Sequence, residues 1–176
     1  MTMHDIAAAA ARTERVLRGR PSAGVHEDDP CIARWVGGLR IVAAHPKGHE
    51  VATDLPSPLG GAGDEPSPGW LMRAGLAACA ASGVALAAVR AGIELAELDV
   101  TARSVSDAGG IFGLPDLDGE RLFPGPRDVQ LEVRLRAPGV AAARLRDLVA
   151  TACRLSPVQA ALEVATPVAV SIDAGD

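Results

Sequence analysis

Alternation of apolar and polar residues predicts β-strands in several parts of the chain. The clearest is residues 129–135, where valine or leucine occupies every second position and polar residues lie between. This two-residue period is typical of a strand with one buried face. A similar strand is predicted around residues 98–102. Shorter strands are predicted between residues 31 and 53, as CIARWV, LRIVAAH and HEVAT, and a final strand carries Val168, Val170 and Ile172.

The longest predicted helix lies in the middle of the chain and has clear start and stop signals. Ser67-Pro68 places a serine at the N-cap and a proline in the first turn, and the helix continues to about Ala91. Gly92 then supplies the glycine that commonly ends a helix. Because this helix is apolar on nearly every face, we expect it to be central and buried.

Three further helices are predicted at residues 4–18, at residues 140–155 and from Pro157 to about Glu163. The last begins with a second Ser-Pro pair, in which Ser156 is the N-cap and Gln159 occupies the position that completes a capping box. The intervening segments 54–68 and 107–126 are rich in glycine, proline and aspartate, which predicts loops.

The order of these elements predicts an α+β fold. Strands and helices do not alternate strictly, so we expect largely antiparallel sheets packed on the long helix. A proline follows the first helix at Arg20-Pro21 and an acidic segment comes next. We therefore divide the chain into an N-terminal helical appendage, residues 1–30, and a main domain, residues 31–176.

Composition and charge exclude some classes of partner. Aromatic residues make up 2% of the chain and the formal net charge is -5 at pH 7. Few stacking side chains and a negative charge disfavour nucleic acids, and the charge also disfavours anionic membranes. The apolar run between Arg73 and Arg90 is too short to span a bilayer comfortably. The N-terminus lacks the charge order of a secretory signal, so we expect a cytoplasmic protein.

The chain has three cysteines, Cys31, Cys79 and Cys153, which are widely spaced and form no CxxC pair. An odd number of distant cysteines favours free thiols in a reducing compartment. No Cys/His group has zinc spacing, and the glycine-rich segment 60–63 lacks the lysine of a phosphate-binding loop. His45 and His49 flank a predicted turn and are expected to be exposed. We therefore expect no metal or cofactor.

The run LGGAGDEPSPGWLMRAGLAACAASGVALAA combines a glycine-rich loop, a proline-started helix and a cysteine in mid-helix. With ELDVTARSVSD, GPRDVQLEVRLRAPGV and RLSPVQAALEVATPVAV, it resembles the OsmC family over residues 31 to 173. The resemblance implies an intertwined homodimer with the long helices at its centre and an active site at the subunit interface. It also implies peroxide defence: a helix cysteine attacks a hydroperoxide as thiolate, a second cysteine forms a disulfide with it, and an external thiol or dithiol reduces that disulfide.

Residue by residue, the resemblance assigns Cys79 as the peroxide-attacking thiol. Arg40 lies near the family's thiolate-stabilising arginine, with Arg34 and Arg73 as alternatives. The chain departs from the family pattern at two positions. Gly69 stands where the family has the glutamate that positions the arginine, and Ser156 stands where it has the second cysteine. Cys153, three residues earlier, is the candidate replacement.

Other interpretations remain open. Cys79 and Cys153 are also typical of small buried residues that only fill a core, and Cys31 is expected to be inert. The first functional hypothesis is reduction of organic hydroperoxides, with apolar surroundings that favour alkyl or fatty-acid hydroperoxides. The second is a non-catalytic dimer that binds a small apolar molecule at the subunit interface. A third is that the arginine-rich N-terminal helix docks on a protein partner.

Overall fold

The computed structural model describes residues 2–164 and 166–175 and has an α+β architecture. The N-terminal helix is α1 (Met3–Gly19), and three strands follow, β1 (Ile32–Gly37), β2 (Arg40–Ala44) and β3 (Glu50–Thr53). The long helix is α2 (Pro68–Arg90). The remaining elements are β4 (Glu97–Val105), α3 (Ala108–Ile111), β5 (Arg127–Arg136), α4 (Ala142–Arg154) and α5 (Pro157–Glu163).

Both sheets are antiparallel, which confirms the predicted strand arrangement. β1, β2 and β3 form one sheet in chain order, and β4 pairs with β5 in the other. In the second sheet Val100 lies opposite Val133. The β1–β2 hairpin turns at Gly37 and Gly38, whose φ angles of 125° and 57° are unfavourable for residues with a side chain.

The predicted ends of α2 are confirmed. The Ser67 side chain accepts a hydrogen bond from the Trp70 backbone N–H at 3.2 Å, which satisfies one of the unpaired donors of the first turn. At the other end Gly92 adopts a φ of 67°, the left-handed conformation that ends many helices.

One face of α2 forms the centre of the core. Leu76, Ala80, Val84 and Ala88 recur every four residues and are all buried. Ala88 packs in a cluster with Ile93 and Leu145, and Leu95, Leu135, Ala137, Val140 and Leu148 lie around it. Through this cluster α2 packs against side chains of β5 and α4.

The expectation that α2 is buried on nearly every face is met on one side only. Gly75, Ala78 and Ser82 lie on the opposite side of the helix and are exposed, and Leu86 is 45% exposed. The physical reason is that the other elements of a single chain cover one side of the helix. α2 is also the one helix among the described residues that is long and apolar enough to cross a membrane. Its buried stripe is that of a core helix.

The predicted final strand is wrong for the single chain. Val168, Val170 and Ile172 form no strand pairing with the described residues, and each is at least 78% exposed. An alternating pattern provides a suitable face, but a strand also needs a hydrogen-bonding neighbour, and the described residues supply none.

Two smaller predictions are also corrected. The segment 107–126, predicted as a loop, contains the short helix α3. Its N-cap is Asp107, whose side chain accepts from the Gly109 N–H at 2.8 Å. Ser156 does cap α5, but the reciprocal bond of a capping box is absent. The Gln159 side chain instead donates to Glu163 at 2.8 Å.

The N-terminal helix packs against α2 rather than standing free. Glu14 accepts hydrogen bonds from Arg18 on its own helix and from Arg90 at the end of α2, the latter at 2.5 Å. Ile6, Ala10 and Leu17 line a groove between the two helices together with Leu86. The division at residue 30 stays a prediction.

Candidate active site around Cys79

Cys79 lies in the middle of α2, three residues after the buried Leu76, and is half-buried. Its neighbour is Ser156, whose hydroxyl is 3.2 Å from the Cys79 sulfur with geometry suited to donation from oxygen to sulfur. Ser156 is only 2% exposed. The contact joins residues 77 positions apart in the chain.

Two helix ends hold Ser156 in this position. α4 ends at Arg154, and the Ser156 backbone N–H donates to the Cys153 carbonyl at 3.0 Å. α5 then begins, and its Gln159 N–H donates to the Ser156 side-chain oxygen at 3.4 Å. The tight connection between the two helices therefore directs the serine side chain towards α2.

α4 approaches α2 closely beside this contact. A methyl group placed on Gly83, one turn beyond Cys79, would lie 3.6 Å from the Ala152 carbonyl oxygen. Small residues on α2 thus bring the end of α4, and Ser156 after it, near the cysteine.

Cys153 faces a different environment. It is half-buried and lines a cavity of about 350 Å³ together with Leu76 and apolar side chains of β5. Burial raises the pKa of the Cys153 thiol, because the apolar surroundings disfavour the thiolate. All three cysteines are free thiols. The structure thus gives Cys79 a hydroxyl neighbour, and the resolving role of Cys153 stays a prediction.

The same cavity contains a buried acceptor without a partner. Among the described residues, Gln159 Oε1 is buried and receives no hydrogen bond. The side-chain amide is oriented by its Nε2, which donates to the Glu163 carboxylate. A carboxylate only accepts, so the carbonyl oxygen of the amide points away from it.

Arg40 lies at the start of β2 and is bound by two carboxylates. Its Nη2 donates to Asp54 Oδ2 at 3.3 Å and also to Asp64. The hydrogen bond to Asp54 is the main cause that raises the pKa of Arg40. In the single chain Arg40 is therefore held by the loop after β3, and its assignment to Cys79 stays a prediction.

Asp54 organises that loop. It is buried and accepts from the Leu55 N–H at 2.7 Å and the Ala62 N–H at 3.1 Å, in addition to Arg40. Burial alone would raise the pKa of Asp54, but these hydrogen bonds outweigh it and hold the pKa below its ordinary value. The carboxylate stays ionised and fixes the loop around Arg40.

The alternative arginines have different partners. Arg73, on α2, donates to Ser104 Oγ at 3.2 Å and lines a cavity of about 850 Å³ at the start of the helix. Gly69 lies beside it, since a methyl group at that glycine would be 3.9 Å from Arg73 Nη1. Arg34 lies on β1 and is exposed.

The histidines do not form a metal centre with their neighbours. The rings of His45 and His49 are 6.1 Å apart, and His45 Nε2 is 3.5 Å from an Asp29 carboxylate oxygen. His49 is exposed as predicted, whereas His45 is half-buried. In residues 2–164 and 166–175 no three His, Cys, Asp or Glu side chains are arranged to hold a metal ion.

The contact between Ser156 and Cys79 is the feature that the residue pattern alone did not reveal. The Ser-Pro pair predicted only a helix cap, and its proximity to Cys79 depends on how α4 and α5 return to α2. The available signal was the resemblance, which places a second cysteine at Ser156 and hence implies a position near the first.

These features define a class of protein: an α+β protein with two antiparallel sheets and a long apolar helix that carries a half-buried cysteine. The OsmC-like protein family matches residues 61–171. The chain therefore belongs to the OsmC-like family. No curated protein matches the sequence.

Solved structures share the fold at low identity. An OsmC-like protein from Mycoplasma pneumoniae is 15% identical with a TM-score of 0.65, and the match covers 80% of this chain and 91% of that one. An organic hydroperoxide resistance protein from Elizabethkingia anophelis is 25% identical with a TM-score of 0.56, covering 78% and 89%. One from Legionella pneumophila is 24% identical with a TM-score of 0.53, covering 78% and 91%.

Proposed function

We propose that the protein reduces organic hydroperoxides in oxidative-stress defence, with Cys79 as the attacking thiol. The observation that carries the proposal is the contact between the Cys79 sulfur and the buried Ser156 hydroxyl at 3.2 Å. A hydroxyl donor beside sulfur favours the thiolate, which is the nucleophilic form. The similarity to organic hydroperoxide resistance proteins supports the choice of substrate class.

We further propose that the protein works as a homodimer. The single chain exposes 12,908 Å² of surface, whereas a compact monomer of 17.9 kDa exposes about 8,000 Å². Obligate homodimers bury about 2,000–5,000 Å² or more counted over both chains, which is about 1,000–2,500 Å² from each chain, so the excess is large enough to include such an interface. The unpaired segment with Val168 and Ile172 is a further surface that a second chain would cover.

The exposed stripe of α2 supports a proposed interface beside the cysteine. Gly75, Ala78 and Ser82 are small and exposed, and Cys79 lies beside them on the helix. Small residues allow another helix to approach closely. A partner helix on this stripe would cover the approach to Cys79 and would turn a half-exposed thiol into one inside an interface pocket.

The surroundings of the thiol support the proposed substrate, and the resemblance supports the proposed reductant. α2 is rich in alanine and leucine around Cys79, so alkyl or fatty-acid hydroperoxides are favoured over hydrogen peroxide. The reductant is an external thiol or dithiol. Three free cysteines are typical of a reducing compartment, which supports a cytoplasmic location.

Intact-mass spectrometry of the fully reduced protein after one equivalent of cumene hydroperoxide tests the proposal. We expect a product that depends on Cys79 and is absent from Cys79→Ser. One added oxygen would indicate a sulfenic acid, and a loss of two hydrogens would indicate a disulfide. An unchanged mass in the wild-type protein would contradict the proposal, provided that iodoacetamide shows Cys79 to be accessible.

A second candidate function is non-catalytic binding of a small apolar molecule at the subunit interface. It is favoured by the ion pairs of Arg40, which bind this cation to Asp54 and Asp64 and not to Cys79 within one chain. Native mass spectrometry of protein purified without detergent distinguishes it. A retained small molecule on a protein that hydroperoxide leaves unmodified would favour binding over catalysis.

A further inference from the structure

We propose that Ser156 is a positioning residue that donates its hydroxyl proton to the Cys79 sulfur, and that the resolving thiol comes from a separate molecule. The inference rests on the proposed function for the peroxide step. It gives a role to the serine that stands where the family has its second cysteine.

The hydrogen bonds of Ser156 determine where its proton points. A hydroxyl has one proton to donate and lone pairs to accept with. The Gln159 N–H donates to this oxygen at 3.4 Å, so a lone pair faces α5. The Cys79 sulfur, 3.2 Å from the same oxygen, is the partner left to accept the hydroxyl proton. The proton therefore points to sulfur.

Burial strengthens this assignment. Ser156 is 2% exposed, so water does not compete for its hydroxyl. Once Cys79 is deprotonated, sulfur is an acceptor only and the hydrogen bond becomes charge-assisted, which makes it stronger than its neutral counterpart. The serine thus favours the thiolate and restricts the sulfur to one position on α2.

The same geometry argues for an external resolving thiol. The side chain that contacts Cys79 from the α4–α5 connection is a hydroxyl, which cannot form a disulfide. The Cys153 side chain instead lines the cavity beside Leu76 and β5. A sulfenic acid formed on Cys79 has a serine beside it, so it reacts with a thiol from solution.

The proposed cycle balances in atoms and electrons. The Cys79 thiolate attacks the outer oxygen of ROOH, the O–O bond breaks, and the alkoxide takes a proton from water to leave as ROH. Sulfur loses two electrons and becomes a sulfenic acid, and the peroxide gains them. A small thiol R′SH then forms a mixed disulfide with Cys79 and releases water. A second R′SH yields R′SSR′ and restores the Cys79 thiol.

The first experiment needs no peroxide, so it is independent of the proposed function. The rate of Cys79 alkylation by iodoacetamide is measured against pH in full-length protein carrying Cys31→Ser and Cys153→Ser. We expect Ser156→Ala to move the midpoint of this profile upward by roughly one to two pH units. Ser156→Thr retains a hydroxyl and a helix cap and should restore the midpoint.

Two controls separate this effect from loss of the α5 cap. Circular dichroism checks that each variant is folded. Ser67→Ala removes the cap of α2 without touching Cys79, and it should leave the midpoint in place. An identical midpoint for Ser156→Ala and its parent would overturn the hydrogen-bond role. A midpoint shift of the same size in Ser67→Ala would also overturn the hydrogen-bond role.

The second experiment tests the external thiol and works even if Ser156→Ala fails to fold. Cumene hydroperoxide should add one oxygen to the reduced wild-type protein. In S156C it should remove two hydrogens, through a disulfide between Cys79 and the introduced thiol. A disulfide between Cys79 and Cys153 in the wild-type protein would overturn the external-thiol step. If hydroperoxide leaves the wild-type mass unchanged while Ser156→Ala shifts the alkylation midpoint, the peroxidase assignment is overturned and the contact of Ser156 with sulfur is still supported.

Discussion

Leu76→Ala should destabilise the protein strongly, because Leu76 is the largest side chain of the buried α2 stripe and is 1% exposed. The change removes three carbon groups at about 0.8 kcal/mol each, and the space left behind adds a further cost. Leu76 already borders the cavity of about 350 Å³, so it loses fewer contacts than a leucine packed on all sides. We therefore expect a value near the lower end for Leu→Ala, about 3 kcal/mol.

For a protein of this size, 3 kcal/mol corresponds to a fall in Tm of roughly 6–12 °C. Thermal unfolding followed by far-ultraviolet circular dichroism measures it. Both variants are measured at one protein concentration, because the Tm of the proposed dimer would depend on concentration. Leu117→Ala is the matched control, since Leu117 is fully exposed and the same atoms are removed. Melting of the two variants within about 2 °C of each other would refute the assignment of the α2 stripe as the core.

Three further predictions concern local interactions. Ser67→Ala should lower the free energy of unfolding by about 1 kcal/mol, because the Trp70 N–H loses its acceptor. Urea denaturation measures this, and an unchanged free energy would contradict the role of Ser67 as the N-cap of α2. The pKa of Asp54 in the folded protein lies below its ordinary value of about 4. The ionised carboxylate therefore stabilises the fold fully at a pH above that ordinary value, and this stabilisation is lost as the pH falls through the pKa of the folded state. Urea midpoints between pH 3 and 7 should therefore fall more steeply on acidification in the wild type than in Asp54→Asn, and parallel curves would contradict this. Because burial raises the pKa of Cys153, iodoacetamide at pH 8 should alkylate it more slowly than the exposed Cys31, and equal rates by peptide mass spectrometry would contradict that.

The parts of the fold that depend on neighbouring residues were predictable. The ends of α2 follow from Ser67 and Gly92, which act within one turn of their own position. The strand at residues 129–135 follows from its alternation. In each case the signal that predicts the element lies in the same short stretch of sequence, although β5 also needs β4 as its hydrogen-bonding neighbour.

The parts that depend on distant partners were not predictable in the same way. The segment with Val168 and Ile172 alternates as well as β5 does, but it has no strand beside it in the described chain. α3 exists because glycine permits close contact: a methyl group on Gly110 would lie 2.7 Å from the Phe123 carbonyl oxygen, so the backbone of the two segments can touch. Composition predicted only a loop there.

The candidate site also has one part that was predictable from local sequence and one part that depends on distant residues. Cys79 was predictable from the helix motif, and its contact with Ser156 depends on the path of two later helices. Arg40 was predicted as the partner of the thiol, and in one chain it is bound by Asp54 and Asp64. A short sequence pattern predicts a candidate residue, whereas the neighbours that would set its chemistry come from elsewhere in the chain.

The residues that contact Arg40 and Cys79 indicate what the two departures from the family pattern change. The resemblance implies a glutamate that positions the arginine, and Gly69 stands in its place. Arg40 is nevertheless bound by carboxylates, which come from the loop after β3 instead of from α2. A cation is thus bound by anions here too, with different residues, and the role of Arg40 beside the Cys79 thiolate stays a prediction.

The departure at Ser156 is different in kind, because the side chain at this contact with Cys79 is a hydroxyl and not a thiol. Removing the carboxylate at residue 69 can be compensated by any anion that reaches the arginine. Removing the second thiol changes the reaction, since a disulfide needs sulfur at a defined separation. The proposed mechanism therefore retains the attack on peroxide within the protein and leaves the reduction of the oxidised sulfur to a thiol from solution.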